Sequence, residues 1–135
     1  MNQRCLIVGG GTMGSGIALV AVRGGYGVEI VEPLAGARER ALAYFERETQ
    51  RSGDGAVLEQ ITWLDGIPAS SDVELALEAV PERFELKRDV FVALAHAIAP
   101  DALLATNTSS LSVAALADVV ERPDRVVGLH FFNPP

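Results

Sequence analysis

The apolar residues of this chain fall into two alternating rhythms. Short runs at residues 5–8, 28–31, 61–64 and 103–106 have the length of buried strands and are bounded by glycine, proline or polar residues. Between them, apolar side chains recur three and four positions apart. Residues 17–22 follow a glycine-rich turn without a break, and residues 36–52 place Ala37, Ala41, Tyr44, Phe45 and Glu48 at helical spacing. Residues 83–99 carry Leu86, Val90, Phe91, Leu94, Ala95 and Ile98 on one face, a clear amphipathic helix that Pro100 ends. SGDG at 52–55 closes the second helix, residues 73–80 alternate into a further strand stopped by Pro81, and 113–120 form a short helix. Residues 125–129 make a last strand. Strands alternating with helices imply an α/β fold: a Rossmann-type doubly wound, mainly parallel sheet with helices on both faces. Ligands of such sheets bind in the crevice at the carboxyl ends of the strands, and three polar clusters fall there: Glu82, residues 107–110, and residues 130–133.

The first strand runs directly into G-x-G-x-x-G on Gly9, Gly11 and Gly14, within GGGTMGSG at 9–16. The first glycine lets the chain turn sharply, the second lets backbone approach a pyrophosphate, and the third lets helix and strand pack closely. The first amides of the following helix then face the phosphates. Glu32 closes the next apolar run eighteen residues after Gly14, about where a dinucleotide fold places its ribose-binding acid. A carboxylate there accepts hydrogen bonds from both adenosine ribose hydroxyls and repels a 2′-phosphate, and Pro33 and Leu34, not arginine, follow it. NAD is expected over NADP. The competing reading, an ordinary loop and a solvated strand end, does not account for strand, turn, helix, strand and acid arriving in order.

Composition narrows the picture further. At 135 residues, 49% hydrophobic and 21% charged, the chain is expected to be one globular domain. A formal net charge of -7 without lysine or arginine clusters argues against nucleic acid. No apolar stretch is long enough to span a bilayer, no cleavable leader is evident, and the single cysteine, Cys5, offers no disulfide framework and reads as a small core side chain. The expected location is cytoplasmic, with no membrane partner. Two distant histidines and one cysteine supply no zinc cluster, so no metal is expected. Lys87 is the only lysine beside ten arginines.

The polar clusters admit structural explanations. Glu82 and Lys87 fit the solvated start of a helix, Ser109 or Ser110 an N-cap, and His130 the edge of the core. Glu82 and Lys87 stand five apart, which is not the spacing of a helical ion pair, and His96 reads as part of a solvated helix face. Yet all three clusters follow strands of one sheet, on the side that receives the glycine loop.

Through GGGTMGSGIA, EAVPERFELK, ATNTSSLS and RVVGLHFFNPP, in that order and over nearly the whole chain, the sequence resembles the L-3-hydroxyacyl-CoA dehydrogenases of the 3-hydroxybutyryl-CoA dehydrogenase type. The resemblance implies that the backbone of Gly9, Gly10, Gly11, Thr12, Met13 and Gly14 and the side chains of Glu32, Glu82, Lys87, Ser109 and Asn133 contact NAD. His130, in HFFNP, is then the base that takes the proton of the substrate 3-hydroxyl, and Ser109 holds the reacting oxygen near it. Imidazole suits the task because it gains and loses a proton near neutral pH. The implied substrate is an acyl-CoA of fatty-acid metabolism, as in β-oxidation, and homo-oligomerisation is expected.

In the family a glutamate beyond the histidine orients it, and a later helical domain supplies most of the substrate pocket and the dimer contact. Residues 1–135 are therefore expected to be the NAD-binding domain of a longer protein, folded and cofactor-binding but nearly inactive alone. The segment between Glu32 and Glu82 is shorter than in relatives, in the region that helps hold coenzyme A. That leaves an acyl group on a carrier protein as an alternative substrate, and a non-catalytic NAD-sensing module as the alternative function.

Overall fold

The computed structural model describes residues 3–108 and 111–131. Among them, β1 (Arg4–Val8), β2 (Gly27–Val31), β3 (Ile61–Leu64), β4 (Leu75–Glu78), β5 (Leu103–Thr106) and β6 (Val126–Gly128) form one sheet. Every pairing is parallel, in the order β3-β2-β1-β4-β5-β6. Helices α1 (Thr12–Arg23), α2 (Ala35–Ser52), α3 (Phe84–Ala97) and α4 (Val113–Ala117) cover it. This is the doubly wound arrangement expected. Because β4 pairs with β1 and not with β3, the chain reverses its direction of winding there, and the loops leaving β1 and β4 diverge around a crevice.

The alternation of side chains explains the layers. Cys5, Ile7, Val28, Ile30, Leu77 and Ala105 pack on one face with Ile17, Leu19, Val22, Ala41 and Phe45 of α1 and α2. Leu6, Val8, Ala76 and Leu104 pack on the other with Val90, Phe91 and Leu94 of α3 and Leu116 of α4. Both faces are covered, so the central strands read as continuous apolar runs.

Helix α2 is held by a narrow stripe. Ala37, Ala41, Phe45 and Thr49 are its buried residues, each four from the next. The periodicity had placed Glu48 in this stripe; the structure puts Thr49 there instead, its hydroxyl donating to the Phe45 carbonyl at 2.7 Å. A buried threonine is tolerated because this bond satisfies its polar group. Gly53, at φ 73°, ends the helix as the SGDG signal implied, its amide donating to the Thr49 carbonyl at 2.7 Å.

Several boundaries differ from those expected. Helix α1 begins at Thr12, inside the glycine motif, and β4 and α4 are shorter than their apolar patterns. Short 3-10 segments at Gly55–Gln60 and Pro123–Arg125 lack an apolar stripe that would have announced them. Arg125 therefore precedes β6 and does not belong to it. Its buried guanidinium donates to the carbonyls of Ala99 at 2.7 Å and Ala95 at 3.1 Å, satisfying the end of α3, where no following glycine closes the helix. His96 is exposed, as expected. No described helix is long and apolar enough to cross a membrane.

Two predictions follow from this packing. Replacement of Arg125 by alanine removes the guanidinium donor from the Ala95 carbonyl in the last turn of α3 and leaves the Ala99 carbonyl with the Ala102 amide alone, and is expected to lower stability by about 2 kcal/mol in denaturant titration. Burial, with the nearby Glu29 charge adding to it, pushes the Cys5 thiol up from its ordinary 9.0 to about 12. The folded state thus holds this proton more tightly than the unfolded chain. Its stabilising contribution is complete below the unfolded value and declines as pH rises from 9.0 towards about 12, so melting temperatures measured across that window should fall, and less so in Cys5→Ala.

Candidate functional site

The carboxyl ends of β1, β2, β4 and β5 and the residues after β6 surround a cleft of about 940 Å³. Its floor is the glycine loop. Gly9 has φ 112°, and a side chain there would strike the Ala79 carbonyl; one on Gly14 would overlap the Gly9 carbonyl oxygen. These glycines permit close packing of β1, α1 and the β4 exit. Gly11 differs: a Cβ on it would meet nothing within 4 Å, and the residue lines the cleft. Protein packing does not require glycine there, whereas close approach of a ligand does. Gly11 is also the N-cap of α1, with no side-chain cap and no acidic residue in the first turn, so the helix presents bare amides and its positive end. Thr12 and Met13 line the cleft beside it. This cradle fits the pyrophosphate of a dinucleotide.

At one end stands Glu32. Its main chain is fixed by its amide, which donates to the Leu64 carbonyl at 2.9 Å, and by Arg38, whose Nε donates to the Glu32 carbonyl at 2.6 Å. The residue is only 9% exposed, and its carboxylate accepts from the amides of Gly10 at 3.0 Å and Leu34 at 3.1 Å. A Cβ on Gly10 would stand 3.0 Å from the Glu32 Cβ, a tight approach that would make the acid shift by a few tenths of an ångström, so Gly10 gives the acid room in a way the G-x-G-x-x-G spacing does not reveal. Both carboxylate oxygens are thus held in place.

Behind the crevice lies a polar network anchored by Glu78, which sequence reasoning missed because it sits in an apolar strand. Glu78 is wholly buried. The Thr106 hydroxyl donates to its Oε1, and its Oε2 accepts from the Val80 amide at 2.9 Å and the Lys87 ammonium at 2.6 Å. Lys87 is 1% exposed and donates also to the Val80 carbonyl at 3.1 Å, with Glu82 Oε1 at 3.3 Å. The solvated-helix reading of Lys87 is thereby overturned: the lone lysine lines the cleft from beneath, its charge matched chiefly by Glu78. Glu82 and Lys87 do pair despite their spacing. Glu82 precedes the first residue of α3, Phe84, so the rule for intrahelical pairs does not govern it.

The remaining clusters converge as the topology demands. Thr108 donates to Glu82 Oε1 at 2.7 Å and accepts from the Leu111 amide at 3.1 Å. Asn107 Oδ1 accepts from the Phe131 amide at 3.0 Å, tying the β5 exit to the β6 exit, and exposed His130 lines the same cleft. Ser112 caps α4 by accepting from the Ala115 amide at 3.1 Å, while Ser109 and Ser110, the cap candidates of the sequence, lie outside the described residues. Ser109 and Asn133, expected at the cofactor, lie outside the described residues. Among the described residues no group of three or more acidic, histidine or cysteine side chains is placed to hold a metal ion.

The Glu78–Lys87 pair makes a testable demand. Truncation of Lys87 to alanine strands a buried carboxylate, and the expected cost is about 3–5 kcal/mol by chemical denaturation. A loss below about 1 kcal/mol would show that the pair does not hold the network together.

Comparison with known proteins agrees with this geometry. The family model for the 3-hydroxyacyl-CoA dehydrogenase NAD binding domain matches residues 4–135. A 3-hydroxybutyryl-CoA dehydrogenase of Mycobacterium tuberculosis is 40% identical over 143 residues, covering 98% of this chain and 50% of the relative. The 3-hydroxyadipyl-CoA dehydrogenase of Escherichia coli is 38% identical over 141 residues, covering 98% of this chain and 30% of the relative. The crystal structure of 3-hydroxybutyryl-CoA dehydrogenase from Escherichia coli superposes with a TM-score of 0.89 at 38% identity, over 99% of this chain and 30% of that one. A malate dehydrogenase of Cryptosporidium parvum, TM-score 0.68 at 16% identity, shares the fold alone. The chain spans half or less of the length of these curated relatives. With its glycine cradle, the fixed carboxylate of Glu32 and a family match over nearly its whole length, the chain belongs to the NAD-binding domain family of the 3-hydroxyacyl-CoA dehydrogenases.

Proposed function

We propose that this domain works within an NAD-dependent L-3-hydroxyacyl-CoA dehydrogenase, oxidising the 3-hydroxyl of an acyl-CoA to the 3-oxo group. The observation that supports the reading is that His130 lines the same cleft as the glycine cradle and Glu32. NAD, when bound, supplies the hydride acceptor. Glu32 receives the adenosine ribose, the amides at the start of α1 receive the pyrophosphate, and Glu82, Lys87, Ser109 and Asn133 serve the nicotinamide half. Lys87 does so largely through Glu82, since its own charge is held by Glu78.

His130 takes the proton of the substrate hydroxyl as hydride leaves the adjacent carbon, and returns it in the reverse direction. Ser109 hydrogen-bonds the reacting oxygen and keeps it within reach of the imidazole. The Asn107 contact to the Phe131 amide supports this by fixing the backbone next to His130. Held groups of this kind lower the barrier by removing unproductive orientations. A helical domain beyond residue 135 supplies the rest of the acyl pocket and a contact between subunits, and the enzyme acts as a cytoplasmic homo-oligomer.

The test is reduction of acetoacetyl-CoA by NADH with the full-length protein. His130→Ala is expected to lower kcat by about 10²–10⁴ while calorimetric NAD affinity stays near wild type. An undiminished rate in that variant would reject His130 as the base.

A further inference from the structure

Helix α2 brings two arginines close behind Glu32, and their surroundings differ. Arg38 is committed to β3 and its neighbours: Nε donates to the Glu32 carbonyl at 2.6 Å, a terminal nitrogen to Asp65 at 2.5 Å, and the guanidinium lies 5.8 Å from the centre of the Trp63 ring. Arg40 makes no hydrogen bond or ion pair among the described residues, and it lines the cofactor cleft together with Glu32, Leu34 and Ala37. Its Nη1 comes 3.5 Å from where a Cβ on Gly36 would stand, so the side chain runs back over the first turn of α2, past a bare glycine.

We propose that Arg40 is a cofactor-specificity residue, a cation already placed for a 2′-phosphate, so that exclusion of NADP rests on the Glu32 carboxylate alone. The proposal rests on the dinucleotide lying with its adenosine ribose at Glu32. That carboxylate occupies an anion seat made by the amides of Gly10 and Leu34, at 3.0 and 3.1 Å. Glu32 is 9% exposed and its carboxylate is held on both oxygens, so it cannot readily swing away from an incoming phosphate, and like charge repels the phosphate. With the carboxylate gone, two N–H donors remain at that position and the Arg40 guanidinium remains in the lining of the same cleft. A phosphate oxygen accepts such donors well, and arginine offers two in parallel. NADP recognition in this fold commonly uses an arginine near the ribose; here the arginine stands beside an acid that opposes it.

The experiment is calorimetric titration of the full-length protein with NAD and with NADP, for wild type, Glu32→Ser, and Glu32→Ser with Arg40→Ala. Glu32→Ser is expected to bind NADP about tenfold or more tightly than wild type, and adding Arg40→Ala should remove most of that gain, as loss of a charged hydrogen bond implies. Glu32→Gln, which keeps the shape and removes only the charge, replaces Glu32→Ser if thermal melts show the serine variant to be unfolded. If the gain in NADP affinity survives Arg40→Ala, or neither Glu32 variant gains NADP affinity, the proposal falls while the NAD reading stands. If wild type binds neither dinucleotide, the cofactor reading falls and the Arg40 proposal with it.

Discussion

The organising constraint of this domain is the closeness of three backbones at the carboxyl end of β1. The turn out of that strand is squeezed between β2 and β4: the Gly9 amide donates to the Val31 carbonyl at 3.0 Å, and the Ala79 amide donates to the Val8 carbonyl at 2.8 Å. A Cβ on Gly9 or Gly14 has no room there. If either approach were relaxed, α1 would draw away from the sheet, and its uncapped amides would no longer open onto the crevice between the β1 and β4 loops. Fold and anion site thus share one steric requirement. Glycine is the only residue that meets it.

Around this point the domain buries two carboxylates in opposite ways. The Glu32 carboxylate is held by main-chain amides and, among the described residues, makes no ion pair, leaving a local negative charge at one end of the cleft. Glu78 is neutralised by Lys87, and the pair with Thr106 joins β4, β5 and α3 behind the cleft. The difference is one of purpose. A charge that must act on a ligand faces the cleft with dipoles for support, while a charge that must tie elements together is paired, since an uncompensated buried ion is costly. The Lys87 ammonium also meets Glu82, and Thr108 meets Glu82 in turn, so the network reaches the rim where the β4 and β5 exits come together.

The family was legible as a resemblance carried by four motifs. The strands, most of the helices, the glycine turn and the meeting of Glu32 and His130 with the glycine loop in one cleft were legible in the residues themselves. These follow from short-range causes. Apolar spacing sets strand or helix, glycine sets where backbones meet, and the parallel winding of βαβ units sends every strand's carboxyl end to the same side. Elements without such a signature escaped: the 3-10 segment Gly55–Gln60 has no buried residue, and the stripe of α2 ends on Thr49, whose polarity masks its burial.

What the tertiary structure alone decided is which distant group satisfies each buried polar one. Nothing near Lys87 in sequence names Glu78, nine residues back in an apolar strand, as its partner. Nothing in the run before β6 assigns Arg125 to carbonyls twenty-six and thirty residues earlier, or Asn107 to the Phe131 amide. Nor does the order of Arg38 and Arg40 tell which one is bound to β3 and which faces the cleft. The reason is physical: a side chain's local preferences are expressed in its own neighbourhood. Its hydrogen-bond partner is whatever the packed elements bring within about 3 Å, and only the assembled sheet and helices determine that.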